Sequence, residues 1–379
     1  MGDLIRIDGS YGEGGGQILR TSLTLSALTG KPFVIENIRI KREQPGLRPQ
    51  HLTAVRAAAE ICAARLSGAE VGSLELRFEP AGLKGGEFCF DVGTAGSTAL
   101  VLQTVFLPLC FAGGSSEVIL RGGTHNPMAP CYEYLEWQWL PMVKLMGYSA
   151  SLAMKRPGFY PRGGGEMRLR VNGREPRLAS RESPGKWTEA GPRPGTGDTQ
   201  LHRPLSLLDR GELRYVRGLS AVARLPMSIA ERQRRRAEHE LQRLGTRVEI
   251  ETKEVPSRSP GTYICLLAKF DHTSACCFSL GAPRKPAEQV GHEAASELLD
   301  FCRSEGAVDE HLADQLLLPA AVIEGETSYT TTTVTQHLLT NAYVIQQFTS
   351  ARITIQNDKV LVRGHSLQHG DPPGVASDC

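Results

Sequence analysis

Several features that this chain lacks exclude whole classes of protein before any motif is considered. None of its nine cysteines forms a C-x-x-C pair, and two of them, Cys276 and Cys277, are adjacent within an apolar run. This scatter argues against a zinc site and against the disulfide framework of a secreted domain, and it favours reduced thiols inside the cell. The N-terminus has no basic stretch followed by an apolar one, so the sequence predicts no secretory leader.

The chain also has little net charge and no long hydrophobic segment. Its longest apolar run, 99–112, is interrupted by Gln103, Thr104 and Pro108 and is too short to cross a bilayer. A net charge of +2 over 379 residues excludes a polycation, so binding of nucleic acid would require a local basic patch. We therefore expect a soluble intracellular protein with no membrane partner.

Glycine, by contrast, is abundant, and it is densest near the start of the chain. Residues 8–20 read DGSYGEGGGQILR, with four glycines in five positions interrupted by Glu13, and Arg20 follows one helical turn later. Such a loop can bring backbone N–H groups close to a phosphate, because no Cβ blocks the approach. A tight turn with a solvated glutamate explains the same letters, and this segment alone leaves both interpretations open.

Hydrophobic periodicity predicts an α/β fold. Strand patterns at 4–8, 33–40 and 74–78 alternate with helical patterns at 17–28 and 49–64, and a similar alternation runs from 87 to 154. The segment YPRGGGEMRLR (160–170) echoes YGEGGGQILR (11–20), which indicates either weak internal repetition or chance in a glycine-rich chain.

A change of composition marks the expected domain boundary. Residues 179–204 are polar and rich in proline and glycine, and a compact strand–helix–strand–strand pattern follows them. We expect a large domain over 1–178 and 284–364 and a smaller inserted α/β domain over 179–283. Within the insert, 181–204 is expected to be a flexible extension, and the polar tail 365–379 is expected to be disordered.

Two basic clusters are candidates for binding phosphate. The first, just before Gln50 and His51, places Arg39 and Lys41 on one predicted strand face with Arg42 at the strand's end, and it can be a phosphate patch or a solvated loop. The second, RQRRR at 232–236, is interleaved with glutamates on a predicted helix. There a solvated helix face is favoured over a nucleic-acid patch.

One histidine differs from the other nine by its context. His337 lies in TTTVTQHLLTN, between a β-branched run and a helix, and side chains at such junctions commonly line sites. A nucleophilic histidine needs a neutral imidazole, an acceptor on its other nitrogen and an electrophile held in line. Asp314 is a possible partner or metal ligand, although most helical aspartates are neither.

Together, seven motifs in order resemble the RNA 3′-terminal phosphate cyclases. They are GEGGGQILR (12–20), QPGLRPQHLTA (44–54), GTAGSTALVLQT (93–104), GGTHNPMAP (122–130), GFYPRGGGE (158–166), HLADQLLLP (311–319) and QHLLTN (336–341). The resemblance covers about 4–362 and is weakest over 172–280. It implies a large domain of three repeated βα units, with a smaller α/β domain inserted.

The resemblance also implies a reaction in three steps. A histidine matching His337 attacks the α-phosphorus of ATP and becomes covalently joined to AMP. The AMP passes to an RNA 3′-terminal phosphate, and the vicinal 2′-hydroxyl then displaces it, which closes a 2′,3′-cyclic phosphate. The expected substrates are ATP and RNA, and no obligate protein partner is evident. The compartment would be the cytoplasm of a bacterium or the nucleus of a eukaryote.

Roles for single residues follow from the same resemblance. Glu13 would bind Mg²⁺ or Mn²⁺, and Asp314 matches an acidic position near the nucleophile. The phosphate contacts would be Arg20, Arg39 and Arg42, with Gln50 and His51 in the same pocket. The nucleotide would be held by Gln103, Pro130 and His311, the last of which departs from a more common tyrosine.

Two alternatives remain. One is a non-catalytic ribosome-assembly factor of the same fold, which lacks the histidine, so the presence of His337 and of the arginines argues against it. The other is an enzyme built on similar repeats, such as an enolpyruvyl transferase, against which the QHLLTN motif argues.

Overall fold

A computed structural model describes residues 4–173 and 202–365, which form four four-stranded sheets packed against helices. Three of the sheets share one order of strands. In each, the first strand runs parallel to the second, the second is antiparallel to the fourth, and the fourth is antiparallel to the third. The mixed α/β class predicted from the sequence is confirmed, and the repeat lies in this strand order.

The first unit contains the glycine loop, between its first strand and first helix. The helix ends at Gly30, whose left-handed φ of 71° lets its N–H bond the carbonyl of Ser26. The elements are β1 (Ile5–Asp8), α1 (Gly16–Thr29), β2 (Phe33–Glu36), α2 (Pro49–Cys62), β3 (Arg65–Ser67) and β4 (Leu76–Glu79).

The second unit repeats this order with a longer second crossover. Its elements are β5 (Glu87–Asp91), α3 (Thr98–Phe111), β6 (Ser115–Gly122), α4 (Tyr132–Tyr134), a π-helical turn (Leu135–Trp139), α5 (Leu140–Leu145), β7 (Ser149–Arg156) and β8 (Gly165–Asn172). The echo between 11–20 and 160–170 is not a structural repeat. The first segment leads from a strand into a helix, whereas the second leads from β7 into the neighbouring strand β8.

The third unit is interrupted after its first strand. That strand, β9 (Ser206–Leu207), pairs in parallel with a strand more than a hundred residues later. The remaining elements are α8 (Glu310–Ala321), β14 (Gly325–Thr330), α9 (Gln336–Phe348), β15 (Arg352–Gln356) and β16 (Lys359–Gly364). An Asn-Asp turn joins the last two strands, as the sequence predicts.

The interrupting segment forms its own sheet and a second apolar core. It comprises β10 (Leu213–Ala223), α6 (Met227–Leu241), a 3₁₀ turn (Gln242–Leu244), β11 (Arg247–Glu254), β12 (Gly261–Phe270), β13 (Ser274–Leu280) and α7 (Ala287–Arg303). Helix α7 packs on this sheet through Val290, Ala294 and Leu298. We therefore propose that the inserted unit ends after Arg303, later than the boundary at 283 expected from the sequence.

Helices of the three units meet in the main core, and this packing positions the site. Helix α1 packs against α2, α3 and α9, and α8 packs against α9. Leu19, Leu23 and Leu25 of α1 are fully buried in this contact, which stabilises the fold by about 1.5–3 kcal/mol per side chain. The first turns of α1 and α9 are thereby brought together, although they lie far apart in sequence.

Two expectations concern parts of the chain that the structure hardly describes. Apart from residues 202–204, the predicted extension 181–204 lies outside the described residues, and so does the predicted tail apart from His365. Within 4–173 and 202–365, no helix is both long enough and apolar enough to cross a membrane.

Candidate active site

His337 lies in the first turn of α9, at the mouth of a large cavity. Thr335 caps the helix, because its Oγ1 accepts a hydrogen bond of 3.1 Å from the backbone N–H of Leu338. The imidazole is 44% exposed, so a ligand can reach it. The free N–H groups of this helix end favour anions nearby.

A chain of hydrogen bonds fixes the orientation of the imidazole. Asp314 Oδ2 accepts a hydrogen bond of 3.0 Å from Gln17 Nε2, which turns the amide oxygen of Gln17 towards His337. That oxygen, Oε1, contacts His337 Nδ1 and so holds the proton on this nitrogen. The lone pair of Nε2 is then the nucleophilic one whenever Nε2 carries no proton.

The other ring nitrogen of His337, Nε2, contacts Glu13 of the glycine loop. Glu13 Oε2 lies 2.5 Å from His337 Nε2, and Glu13 Oε1 contacts the guanidinium of Arg42. When Nε2 carries a proton, it donates that proton to this carboxylate. Nε2 can therefore attack an electrophile only after this pair has separated.

Glycine at two loop positions permits these approaches. A Cβ at Gly16 would lie 2.4 Å from His51 Nε2 and 2.9 Å from a nitrogen of Arg20, so a side chain there would displace both. Gly12 has a left-handed φ of 58°, and a Cβ there would lie 2.2 Å from the hydroxyl of Thr340. The glycine loop can therefore approach α9 closely, and it leaves room for the side chains of His51 and Arg20 beside it.

Burial shifts the pKa values of the groups around His337. It lowers the pKa of Arg20 to about 10, against the opposing effect of Asp314 and Glu13, and Arg20 is still a cation at neutral pH. It lowers the pKa of His51 to about 3, with Arg20 acting in the same direction, so His51 is neutral. Burial likewise lowers the pKa of His337, although Glu13 opposes this.

Asp314 has the opposite shift, since burial raises the pKa of its carboxyl to about 7. Its helix is held in place by the last residue of the QHLLTN motif. Asn341 Nδ2 donates to the backbone carbonyl of Asp314 over 3.2 Å, and Asn341 Oδ1 accepts from the hydroxyl of Thr21 over 2.6 Å. The helices α1, α8 and α9 are therefore tied together directly behind Gln17 and His337.

The prediction that Arg39 and Lys41 share one face of a strand is wrong. Strand β2 ends at Glu36, and residues 37–44 form turns in which Arg39 has a left-handed φ of 54°. Arg39 bonds the carbonyl oxygens of Gln44 and Gly46, at 2.8 and 2.9 Å, and so braces its own loop. Of the basic residues in this predicted cluster, only Arg42 contacts a neighbour of His337, namely Glu13.

A cavity of about 1190 Å³ lies between the first turns of these helices and the inserted unit. It brings together most of the residues expected around a nucleotide: Arg20, Gln103, Pro130, His311, Asp314 and His337. The inserted unit closes the opposite side with Phe278, Lys285 and Glu297, among others. Arg39, Arg42 and His51 are not part of the cavity wall.

Gln50 lies in a smaller cavity of about 400 Å³ beside the first. Its Oε1 accepts a hydrogen bond of 3.0 Å from the backbone N–H of Ser97, the N-cap residue of α3. The two cavities share Met128 and Tyr160 on their walls. Gln50 therefore joins the first unit to the second at the edge of the large cavity.

Comparison with known proteins decides the family. A family model described as RNA 3′-terminal phosphate cyclase matches residues 11–355. An RNA 3′-terminal phosphate cyclase from Nostoc punctiforme is 43% identical and covers 96% of this chain and 99% of its own length. One from Methylococcus capsulatus is 42% identical over 98% of both chains.

The chain belongs to the RNA 3′-terminal phosphate cyclase family. A third cyclase, from Methanopyrus kandleri, is 42% identical and covers 93% of this chain and 95% of its own length. A solved structure, the enolpyruvyl transferase NikO from Streptomyces tendae, matches with a TM-score of only 0.40 at 9% identity, covering 97% of this chain and 49% of that one. That likeness is too low to bear on fold or function.

For a member of the cyclase family, the metal expected at Glu13 can be tested against the donor set. The described residues contain no group of three or more His, Cys, Asp or Glu side chains that could hold an ion. Mg²⁺ and Mn²⁺, however, often take only one or two carboxylates and complete their shells with phosphate oxygens and water. A half-exposed carboxylate such as that of Glu13 fits that mode, provided that it gives up a contact to His337 or Arg42.

Sequence analysis does not single out one residue of this candidate site, Gln17. Gln17 was assigned only to an amphipathic helix, yet it connects Asp314 to His337. Its spacing carries no signal, because the three residues belong to three helices and meet only through packing. The family motif GEGGGQILR does contain it, four residues after Glu13.

Proposed function

We propose that this chain uses ATP to convert an RNA 3′-terminal phosphate into a 2′,3′-cyclic phosphate, with His337 as the residue that accepts AMP. The observation that carries the proposal is the orientation of His337. Its Nδ1 is bonded to Gln17, which leaves Nε2 as the nucleophile at the mouth of the large cavity. Membership of the cyclase family supports the overall reaction.

In the first step, Nε2 of His337 attacks the α-phosphorus of ATP. The new P–N bond forms as the bond to the bridging oxygen of the β-phosphate breaks, and pyrophosphate leaves. Glu13 must first release Nε2, and the proton on Nε2 must leave for solvent, so that Nε2 has a free lone pair and the Glu13 carboxylate is free to bind a cation. Gln17 keeps the ring from rotating meanwhile, because it contacts Nδ1 and not Nε2, and Asp314 holds the amide of Gln17 in place.

Arg20 supplies fixed positive charge for this step. It lines the cavity and stays protonated at neutral pH even though burial lowers its pKa. A guanidinium already in place at a partly dehydrated site stabilises developing phosphate charge without reorganising at the moment of reaction. Glu13 would hold Mg²⁺ or Mn²⁺, and such an ion, when bound, would neutralise triphosphate charge.

The remaining steps explain why adenylation is needed. The oxygens of a 3′-phosphate are poor leaving groups, so its phosphorus must be activated first. An oxygen of the 3′-phosphate therefore attacks the phosphorus of AMP and displaces His337, which makes AMP the leaving group in the next step. The neighbouring 2′-hydroxyl then attacks the RNA phosphorus, loses its proton and expels AMP. Because the hydroxyl is already tethered beside the phosphorus, ring closure gains about 7–11 kcal/mol in favourable cases.

The size of the cavity fits a site for two substrates. Pockets for one drug-sized ligand occupy about 300–1000 Å³. The cavity here has about 1190 Å³ and continues into the smaller one of about 400 Å³. An adenine nucleotide would therefore leave room for the end of a second substrate beside it.

The first test is transfer of label to the protein. Incubation with ATP labelled at the α-phosphate should give acid-labile label on the wild-type protein and none on His337→Ala. His272→Ala, which removes an exposed histidine of the inserted unit, is the matched control and should label normally. Equal labelling of wild type and His337→Ala would refute the assignment of the nucleophile.

The second test is formation of product. A 3′-phosphorylated oligoribonucleotide should become resistant to phosphatase only when ATP is present. If the wild-type protein gives no ATP-dependent product, the assembly-factor alternative is favoured over the cyclase reaction.

A further inference from the structure

The two most exposed large apolar side chains in the described part of the chain both line the large cavity. Met128 is 98% exposed and Tyr160 is 76% exposed, and the next such residue, Val71, is 56% exposed. Both Met128 and Tyr160 line the large cavity and also the smaller one, so they stand where the two join. Water contact at both is unfavourable unless something covers them.

The backbone that carries these side chains is well anchored. The N–H of Thr124 donates to the carbonyl of Gly158 over 3.0 Å, and the N–H of Gly158 donates to the hydroxyl of Thr124 over 2.9 Å. The two loops are thus joined to each other just before Met128 and Tyr160. Met128 itself has a left-handed φ of 60°, a conformation that non-glycine residues rarely adopt. An exposed apolar residue held in this way is a candidate for function.

Unpaired positive charge lies beside this surface. Arg162 is exposed two residues after Tyr160, and the exposed Arg258 of the inserted unit packs against Gly164 in the same loop. No carboxylate of residues 4–173 or 202–365 lies within ion-pair distance of either guanidinium. The Oγ of Ser257 donates to the carbonyl of Pro157 over 3.0 Å, which ties the two loops together.

An exposed aromatic ring with arginines beside it is typical of sites that bind single-stranded nucleic acid. Proteins that hold single-stranded nucleic acid stack bases on exposed aromatic rings and place cations along the backbone beside them. A thioether adds a polarisable contact that adapts to any base. A partner protein would use the apolar surface but would not by itself explain two exposed arginines, in the described part of the chain without a carboxylate partner, beside residues that line the cavity containing His337.

We propose that Met128 and Tyr160 form the surface on which the last base of the RNA substrate stacks, with Arg162 and Arg258 contacting the neighbouring phosphates. This proposal rests on the proposed function, because it assigns the entry of the RNA end to the site of His337. It also accounts for the joining of the two cavities: the base occupies the junction while the 3′-phosphate extends towards the nucleotide.

The test combines a change in the RNA with a change in the protein. One probe is a fluorescein-labelled oligoribonucleotide with a 3′-phosphate. A second has 1-deoxyribose, an abasic residue that keeps the 2′-hydroxyl and 3′-phosphate, at the last position, and a third has it five positions upstream. Fluorescence anisotropy gives the Kd of each probe for wild type, Tyr160→Ala, Met128→Ala and Val71→Ala, the last as an exposed apolar control.

We expect loss of the last base to raise the Kd for the wild type about tenfold, since stacking of one base commonly contributes this much or more. Tyr160→Ala should raise the Kd for the intact probe similarly and should bind the intact and end-abasic probes almost equally. Met128→Ala should do the same to a smaller extent. The upstream abasic residue and Val71→Ala should leave Kd within about twofold.

Additive effects of the RNA and protein changes would overturn the proposal, as would a Tyr160→Ala variant that binds like the wild type. If Tyr160→Ala does not fold, Tyr160→Phe and Met128→Ala replace it. Tyr160→Phe must then bind like the wild type, and Met128→Ala must discriminate less than the wild type between the intact and end-abasic probes. Equal weakening of binding by a terminal and an upstream abasic residue would indicate general single-strand binding and would also overturn it.

Salt dependence tests the arginines separately. Each phosphate contact on a single strand contributes about 0.7 to the slope of log Kd against log salt concentration. Arg162→Gln and Arg258→Gln should each lower that slope by about this amount, and an unchanged slope would exclude the contacts. Because Kd is measured without ATP, a wild type that binds with these features but gives no cyclic product would count against the proposed function and not against the stacking surface.

Discussion

Two groups of arginines in this chain look equally basic in sequence and differ in structure. On α6, Arg232, Arg234, Arg235 and Arg236 all pair with glutamates, three of them one helical turn away on the same helix. At the glycine loop, Arg20 is enclosed beside His51, and burial lowers its pKa to about 10. The density of charge in the sequence therefore did not distinguish arginines paired with glutamates from the buried Arg20.

The difference between the α6 arginines and Arg20 shows which guanidinium groups are available to bind a phosphate. A helix with glutamates at i and i+4 neutralises its own arginines in solvent, and each such pair contributes only about 0.3–0.5 kcal/mol. Arg20 has no such local acid, and its nearest acids, Asp314 and Glu13, come from other parts of the site. A guanidinium held in low dielectric with its partners shared among several groups is ready to meet a charged substrate.

The largest expected effect comes from removing the enclosed charge. Arg20→Gln should lower the rate of self-adenylation about 100- to 1000-fold, because a preorganised contact to developing phosphate charge is lost. Single-turnover labelling with α-labelled ATP measures this rate, and circular dichroism at the same temperature checks that the variant is folded. A loss below about threefold would contradict the contrast between the two groups of arginines.

A smaller effect is expected from the side chain that orients the nucleophile. Gln17→Met keeps the length of the side chain but removes the hydrogen bond to Nδ1 of His337. We expect the adenylation rate to fall about 10- to 100-fold, because the ring can rotate, while the KM for ATP changes little. Gln17→Glu restores an acceptor and should recover part of the rate; equal losses for both variants would exclude a positioning role.

Asp314 allows a test through pH. Its pKa rises from 3.8 in the unfolded chain to about 7 in the fold, so the folded state binds its proton more tightly. Stability is then lost as pH rises from about 4 to 7, because ionisation of the buried carboxyl disfavours the folded state. Asp314→Asn, which keeps an oxygen for Gln17, should raise the free energy of unfolding at pH 8 by roughly 1–4 kcal/mol and much less at pH 4.

Urea unfolding at both pH values measures this difference. Glu231→Gln is the matched control, since Glu231 pairs with Arg235 on the exposed face of α6. A gain in stability for Asp314→Asn that is the same at pH 4 and pH 8 would show that burial of the charge is not the cause.

These comparisons also explain how much of the molecule the sequence could predict. Local rules sufficed for α1, α9 and the last hairpin, where periodicity, caps and an Asn-Asp turn agree. Strand β13 was missed because SACCFSL is buried on both faces and does not alternate. The pattern at 33–40 predicts a strand that continues beyond Glu36, because charge spacing cannot reveal a left-handed residue such as Arg39.

The site was predictable only in part for the same reason. Motifs of the family identify His337, Glu13 and Asp314 one by one, but the link between them passes through Gln17 and depends on how α1 meets α8 and α9. The shared cavity depends in addition on the inserted unit, whose β13 and α7 supply one wall. Neither contact leaves a periodic signal along the chain.

The smallest expected effect completes the contrast between the arginines. Arg235→Gln removes an exposed guanidinium from α6 that lies 3.2 Å from Glu231. Self-adenylation and the Kd for a 3′-phosphorylated oligoribonucleotide should both stay within about twofold of the wild type, and the free energy of unfolding should fall by less than about 1 kcal/mol. Binding that weakens about tenfold and a salt slope that drops would mean that α6 contacts the RNA backbone, and that its glutamates exchange their arginines for phosphates when RNA arrives.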